Sequence, residues 1–141
     1  MDVRTFLGGI STKKAMAREY SAKIEAAEAG LLPRGLRYDK ESVQSSGAND
    51  RVERIFDTVE DLRAAQMELV AQYTADEALA VRMLSHMEDA REARVLSLYY
   101  LGDGRDTFED VADVMGYSER QIFRIYQSAI QHIQDIADKM S

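Results

Sequence analysis

The chain has 141 residues, 45% of them apolar, enough for one domain or for a small domain joined to a helical extension. It contains no cysteine, which excludes disulfides, zinc ribbons and thiol nucleophiles together. A net charge of -7 argues against a protein that coats nucleic acid non-specifically, because neutralisation of phosphate by Lys and Arg drives that mode of binding.

Charged residues make up 30% of the chain, there is one proline, and Ala, Leu, Glu, Arg, Met and Gln are prominent, so propensity favours helix nearly throughout. The expected class is all-α. The opening MDVRTFLGGISTKK lacks a basic segment followed by an apolar stretch and a cleavage site, and nowhere do eighteen apolar residues run together. A soluble, intracellular protein without membrane contact is expected.

From Val3 to Leu32, Phe6, Leu7, Ile10, Met16, Tyr20, Ile24 and Ala27 recur at spacings near three and four, the pattern of an amphipathic helix. Gly8 and Gly9 weaken its start by about 1 kcal/mol each relative to alanine. The stretch that begins at Pro33 holds the single proline, two glycines and a cluster of Ser, Asn and Asp, and reads as a loop over 33–49. A second helix is predicted from Asn49 or Asp50 as N-cap. Along it Val52, Ile55, Val59, Leu62, Gln66, Leu69 and Tyr73 form a heptad seam, which Phe56 and Val70 widen. Two arrangements bury this seam: an intramolecular hairpin with the first helix, or a homodimer paired through 52–73. Gln66 is a polar interruption of the kind that fixes register. Thr74 with Glu77 and Ser85 with Glu88 both have capping-box spacing, and the break in the long helix is expected at the second.

The last third carries the most specific signal. Asp89 to Leu101 predicts a helix ended by Gly102, Asp103 and Gly104. After it, Ala112, Gly116, Ile122 and Ile125 stand at offsets of four, ten and thirteen from the first. Ala112 is small where two helices cross closely, Gly116 can take the positive φ that ends the first helix, and Ile122 and Ile125 bury the second against it. Thr107 with Asp110 and Ser118 with Gln121 supply a cap for each helix, leaving Gly116, Tyr117 and Ser118 as the turn.

At 100° per residue, centring the buried stripe of the final helix on Ile122, Ile125, Tyr126 and Ala129 turns Arg120, Arg124, Gln127 and Gln131 outward. Arginine pairs bidentately with guanine and glutamine with adenine or phosphate, and the early turns of such a helix enter the major groove. The capped start, at Ser118 and Gln121, offers backbone N–H groups to a phosphate. Phe123, at the edge of the stripe, suits the core, a partner contact or stacking on a base. Residues 88–141 hold eleven acidic and six basic residues, so DNA affinity would need a local basic face. His86 and His132 are the only histidines and belong to no catalytic or metal-binding motif. No enzyme, metal or cofactor is expected.

From about Arg94 to Ile136 the chain resembles region 4 of bacterial sigma factors, in which a Ser or Thr opens a recognition helix followed by two isoleucines and a small-apolar pair. Those positions are Ser118, Ile122, Ile125, Ala129 and Ile130 here. The family's recognition residues fall by position on Glu119, Arg120 and Arg124, which differ from it in type, so a promoter preference does not carry over. Nothing resembles the strand-opening region 2 that a complete sigma factor needs. Over nearly its whole length, including VQSSG with Asp50 and the YYL of Tyr99 to Leu101, the chain also resembles small phage and prophage proteins related to the RinA and ArpU type late-operon regulators.

These resemblances imply a helical hairpin or coiled-coil interaction region over 1–87 and a sigma region 4-like helix-turn-helix over 88–141. The protein would act in the cytoplasm of a bacterium or infected host cell. The expected function is a phage-derived transcriptional regulator reading double-stranded DNA through Ser118, Glu119, Arg120, Gln121, Arg124, Gln127 and Gln131. The alternative is a helical adaptor whose sigma-like module binds RNA polymerase or another protein instead of DNA.

Overall fold

A computed structural model describes residues 1–30, 46–102 and 107–140, with the backbone alone at 46–49. Five helices and no strand occur among the described residues: α1 Val3–Ala29, α2 Ser46–Ser85, α3 Ala90–Tyr100, α4 Phe108–Met115 and α5 Glu119–Met140. The chain is all-α, and no described helix is long and apolar enough to cross a membrane.

The helix ends follow local chemistry. Asp2 opens α1, its carboxylate accepting from the backbone N–H of Thr5 at 3.1 Å and from the Thr5 hydroxyl at 2.6 Å. Those bonds hold the Asp2 carboxyl below its ordinary range. At the other end α1 runs to Ala29, where the Gly30 N–H turns back to the Ala27 carbonyl, and the expected end at Leu32 lies outside the described residues. The loop expected at 33–49 falls largely outside the described residues. Its last four positions are helical, so Asn49 and Asp50 lie inside α2 instead of capping it.

The break after Ser85 agrees with the sequence, but the cap is different. The Ser85 hydroxyl bonds back to the Arg82 carbonyl, and Asp89 becomes the N-cap of α3 by accepting from the Arg91 N–H. Ser85 with Glu88 had the right spacing, yet the chain needs the additional residues 86–88 to turn. The N–H groups of His86 and Met87 bond to Met83 and Leu84 in that turn.

The chain divides into two compact units, 16–70 and 1–15 with 71–141. In the first, α1 and α2 run antiparallel as a hairpin: Gln66 meets Ala17 and Ser21, while Arg63 meets Glu28. The heptad seam is thus used within the chain, with Val59 buried and Ile55, Leu62 and Leu69 half-buried. Gln66 does what a polar seam residue can do for register, donating to the Ala17 carbonyl at 2.8 Å and to the Ser21 hydroxyl at 2.5 Å.

The second unit cuts across the boundary expected at 87/88. Val3, Leu7 and Ile10, at helical spacing, share a core with Ala80 and Met83 of α2 and with Val95, Leu96, Val111, Ile122, Ala129 and Ile133 of the last three helices. Burying each such large aliphatic side chain contributes about 1.5–3 kcal/mol. Polar contacts reinforce the same joint. The Val3 N–H donates to Gln134 at 3.0 Å, whose amide donates in turn to the Met1 carbonyl. The Lys14 ammonium pairs with Glu77 and donates to the Leu101 carbonyl at 2.8 Å, placing a cation at the C-terminal end of α3.

Gly8 and Gly9 occupy helical positions in α1, and a Cβ added at either meets nothing within 4 Å. Gly8→Ala and Gly9→Ala should therefore each stabilise the protein by about 0.5–1 kcal/mol. Urea titration followed by circular dichroism should show a higher midpoint with an unchanged slope.

Candidate nucleic-acid interface

Three helices of the second unit build this surface, and the boundaries around its turn are capped. Thr107 and Asp110 form a reciprocal capping box at the start of α4, with bonds of 3.1 and 3.0 Å. Gly116 ends α4 at φ 75°, ψ 28°, where its N–H and that of Tyr117 both return to the Ala112 carbonyl, at 2.9 and 3.0 Å. Ser118 opens α5: its hydroxyl accepts from the Gln121 N–H, and its own N–H donates to Gln121 Oε1 at 3.0 Å. The connection is the three-residue turn expected from sequence.

Ala112 and Ile122 are buried where α4 and α5 cross, and Val111 fills the space beside them. Ile125, expected in the core, is only half-buried. An aromatic cluster joins the three helices: Phe108 stacks on Tyr99 with centroids 4.7 Å apart and meets Tyr126 at 5.1 Å. The buried Tyr100 and Tyr126 hydroxyls share a 2.5 Å hydrogen bond, and burial pushes the Tyr100 phenol well up from its usual value. Phe123 rests one edge on Phe108 at 5.8 Å between centroids and leaves 47% of its surface exposed.

Ser118, just before α5, and Glu119, Arg120, Gln121, Arg124, Gln127 and Gln131 on it are all exposed. Arg120, Arg124, Gln127 and Gln131 fall within about 60° of one another around the helix axis and so form one stripe. Gln121 stands apart, its Oε1 held by the cap. Neither Arg120 nor Arg124 forms an ion pair with another described residue. Farther along the same side the charge reverses at Asp135 and Asp138, so the stripe is basic over the first turns and acidic at the far end.

Arg91 and Tyr117 join the site without having been foreseen. With Gln121, Arg124 and Ile125 they line a cleft of about 210 Å³ beside the start of α5. Arg91 lies 3.5 Å from the Asp89 carboxylate, which raises its pKa further, with a smaller contribution from Tyr117. Arg91 and Arg124 belong to different helices, so no periodicity in the sequence relates them.

Glu92 is a second unforeseen feature. Its buried carboxylate accepts from the Ser128 hydroxyl at 2.8 Å and meets His132 Nδ1 at 2.6 Å, tying α3 to α5. The sequence carried a signal, because Glu92 shares a helical face with Val95 and Leu96. The Ser128 hydroxyl donates to the carboxylate and not to the imidazole, so the three groups bridge α3 and α5. Among the described residues no group of three or more His, Cys, Asp or Glu could hold a metal ion.

Comparison with family models, with curated proteins and with solved structures finds no match to the chain.

Gly116→Ala would place a side chain at positive φ, and it should lower stability by about 1–2 kcal/mol although the site has open space for the methyl. Chemical denaturation measures this directly, and an unchanged midpoint would mean that the turn relaxes. His132 gives a pH test. Its hydrogen bond to Glu92, and then the charge of that carboxylate, raise its pKa above 6.5. The resulting stabilisation is fully present below about pH 6.5 and is lost as pH rises through the higher folded value. His132→Ala should therefore cost more in melting temperature at about pH 5.5 than at about pH 8.5.

Proposed function

We propose that the chain is a DNA-binding transcriptional regulator of the phage or prophage type, reading the major groove with α5 as the recognition helix of a sigma region 4-like helix-turn-helix. The observation that carries the reading is the stripe of Arg120, Arg124, Gln127 and Gln131, exposed on one side of a helix that begins one short turn after α4. Both arginines are free of ion pairs with described residues. They are available for guanine edges or phosphates.

The charge gradient along α5 supports the same orientation. On its outward stripe Arg120 and Arg124 precede Asp135 and Asp138, while Glu119 in the first turn and Lys139 in the last lie off that stripe, which favours approach of the polyanion at the amino-terminal end, where the helix dipole is also positive. Arg91 and Tyr117 would contact the backbone beside that end, supplying position and not sequence preference. In this reading the protein acts where bacterial DNA is, in the cytoplasm, without catalysis or cofactor.

A second reading has its own support. Val114 on α4 and Phe123 on α5 are exposed by 58% and 47%, and residues 88–141 carry more acid than base. Such a surface suits docking on RNA polymerase or another protein, with the same module serving as an adaptor.

Selection of binding sites from random duplex DNA, near physiological salt, separates the two. The wild type should enrich a defined motif and the Arg120→Ala/Arg124→Ala variant should not. On the selected site Arg124→Ala alone should weaken binding by about 1–3 kcal/mol and relax one base preference. Failure of the wild type to enrich any motif would leave the adaptor reading standing.

A further inference from the structure

The hairpin of residues 16–70 is a two-helix layer, and such a layer buries each helix on one side only. Among its described residues only Ala17, Ile24 and Val59 are buried apolar positions. Beside the seam that faces α1, a second apolar row runs along α2: Val52, Phe56, Met67 and Val70 are exposed, Phe56 by 58% and Met67 by 71%. At 100° per residue these four, with Arg63, lie within about 60° of one another, while the seam residues Ile55, Leu62 and Leu69 centre about 100° away, with Val59 and Gln66 between. The row therefore adjoins the seam at Val52 and Val70 and carries the apolar surface outward to Phe56 and Met67, which α1 leaves exposed.

From this we infer that the row is the self-association surface of the protein, where a second copy docks antiparallel and converts two hairpins into a four-helix assembly. A two-fold axis makes the pairing reciprocal, and matching the two largest exposed side chains sets the register. A two-fold axis between Asp61 and Leu62 places Phe56 opposite the partner's Met67 at both ends, so each large exposed side chain covers the other. The same axis places Glu60, exposed and just beside the row, opposite the partner's Arg63, again twice. Arg63 already meets Glu28 across the hairpin at 2.7 Å, and it would then bridge two carboxylates. No like charges face each other within this central stretch. A parallel pairing would instead set Arg63 against Arg63 and leave Phe56 and Met67 each facing its own kind.

The proposal is independent of DNA binding, and the full chain tests it. Sedimentation equilibrium at about 100 μM, well above the dissociation constants of specific dimers, should give twice the 15.9 kDa chain mass. Phe56→Glu/Met67→Glu should give the single-chain mass with an unchanged helical circular dichroism signal, since both side chains are exposed in the hairpin. The absence of native cysteine allows a register test. Mixed Phe56→Cys and Met67→Cys chains should form a disulfide-linked heterodimer on mild oxidation in preference to either homodimer. A wild-type chain that stays monomeric overturns the inference, as does a dimer that survives the double substitution. Preferential homodimer cross-links would overturn the antiparallel register.

Discussion

The orientation of α5 rests on the close crossing of α4 and α5, which Ala112 and Gly116 make possible. A larger residue at 112 would separate the helices, and the left-handed conformation of Gly116 at φ 75° lets the chain reverse within three residues. With the crossing fixed, Ile122, Ala129 and Ile133 bury one side of α5, and helical geometry leaves Arg120, Arg124, Gln127 and Gln131 no alternative to the outer side. The polar contacts are consistent with this arrangement. Glu92 holds Ser128 and His132 on the flank of α5, so the rotation of the helix about its axis is set by hydrogen bonds as well as by apolar packing.

The amino-terminal residues extend that constraint. Val3, Leu7 and Ile10 complete the core beneath the last three helices, and Lys14 supplies a cation to the carbonyls that end α3. A fragment beginning near residue 88 would expose the surfaces these groups cover. The region that presents the basic stripe is thus assembled from both ends of the chain.

Local chemistry was the legible part of the sequence. The offsets of Ala112, Gly116 and Ile122, the capping pairs Thr107–Asp110 and Ser118–Gln121, and the break after Ser85 all depend on residues a few positions apart, and each has a structural counterpart. What escaped depends on tertiary partners. Asp89 and Ser85 are both good caps, and only the path of residues 86–88 decides between them. The seam of α2 suits a partner in the same chain as well as in another, because heptad spacing describes a buried face without naming what buries it. Burial of Glu92 needed Ser128 and His132 about forty residues later, and the cleft at Arg91 needed Tyr117 and Arg124.

An acidic chain is an unusual vehicle for DNA recognition, and the distribution of its charge bears on how such recognition would work. Long-range attraction scales with the total field, whereas a base contact depends on groups within a few ångströms, and salt screens the former over about 10 Å. Arg120 and Arg124 are exposed without ion pairs to described residues, while Glu92, the buried acid of α3, is bound to Ser128 and His132. Acids on the distal part of α5, Asp135 and Asp138, would repel phosphate from that end and leave the first turns as the favourable approach. In a DNA-binding protein of this kind the negative balance would disfavour arbitrary duplex more than a site whose bases engaged both arginines. Such an arrangement would trade affinity for discrimination, because the non-specific electrostatic contribution that all sequences share would be the part most reduced.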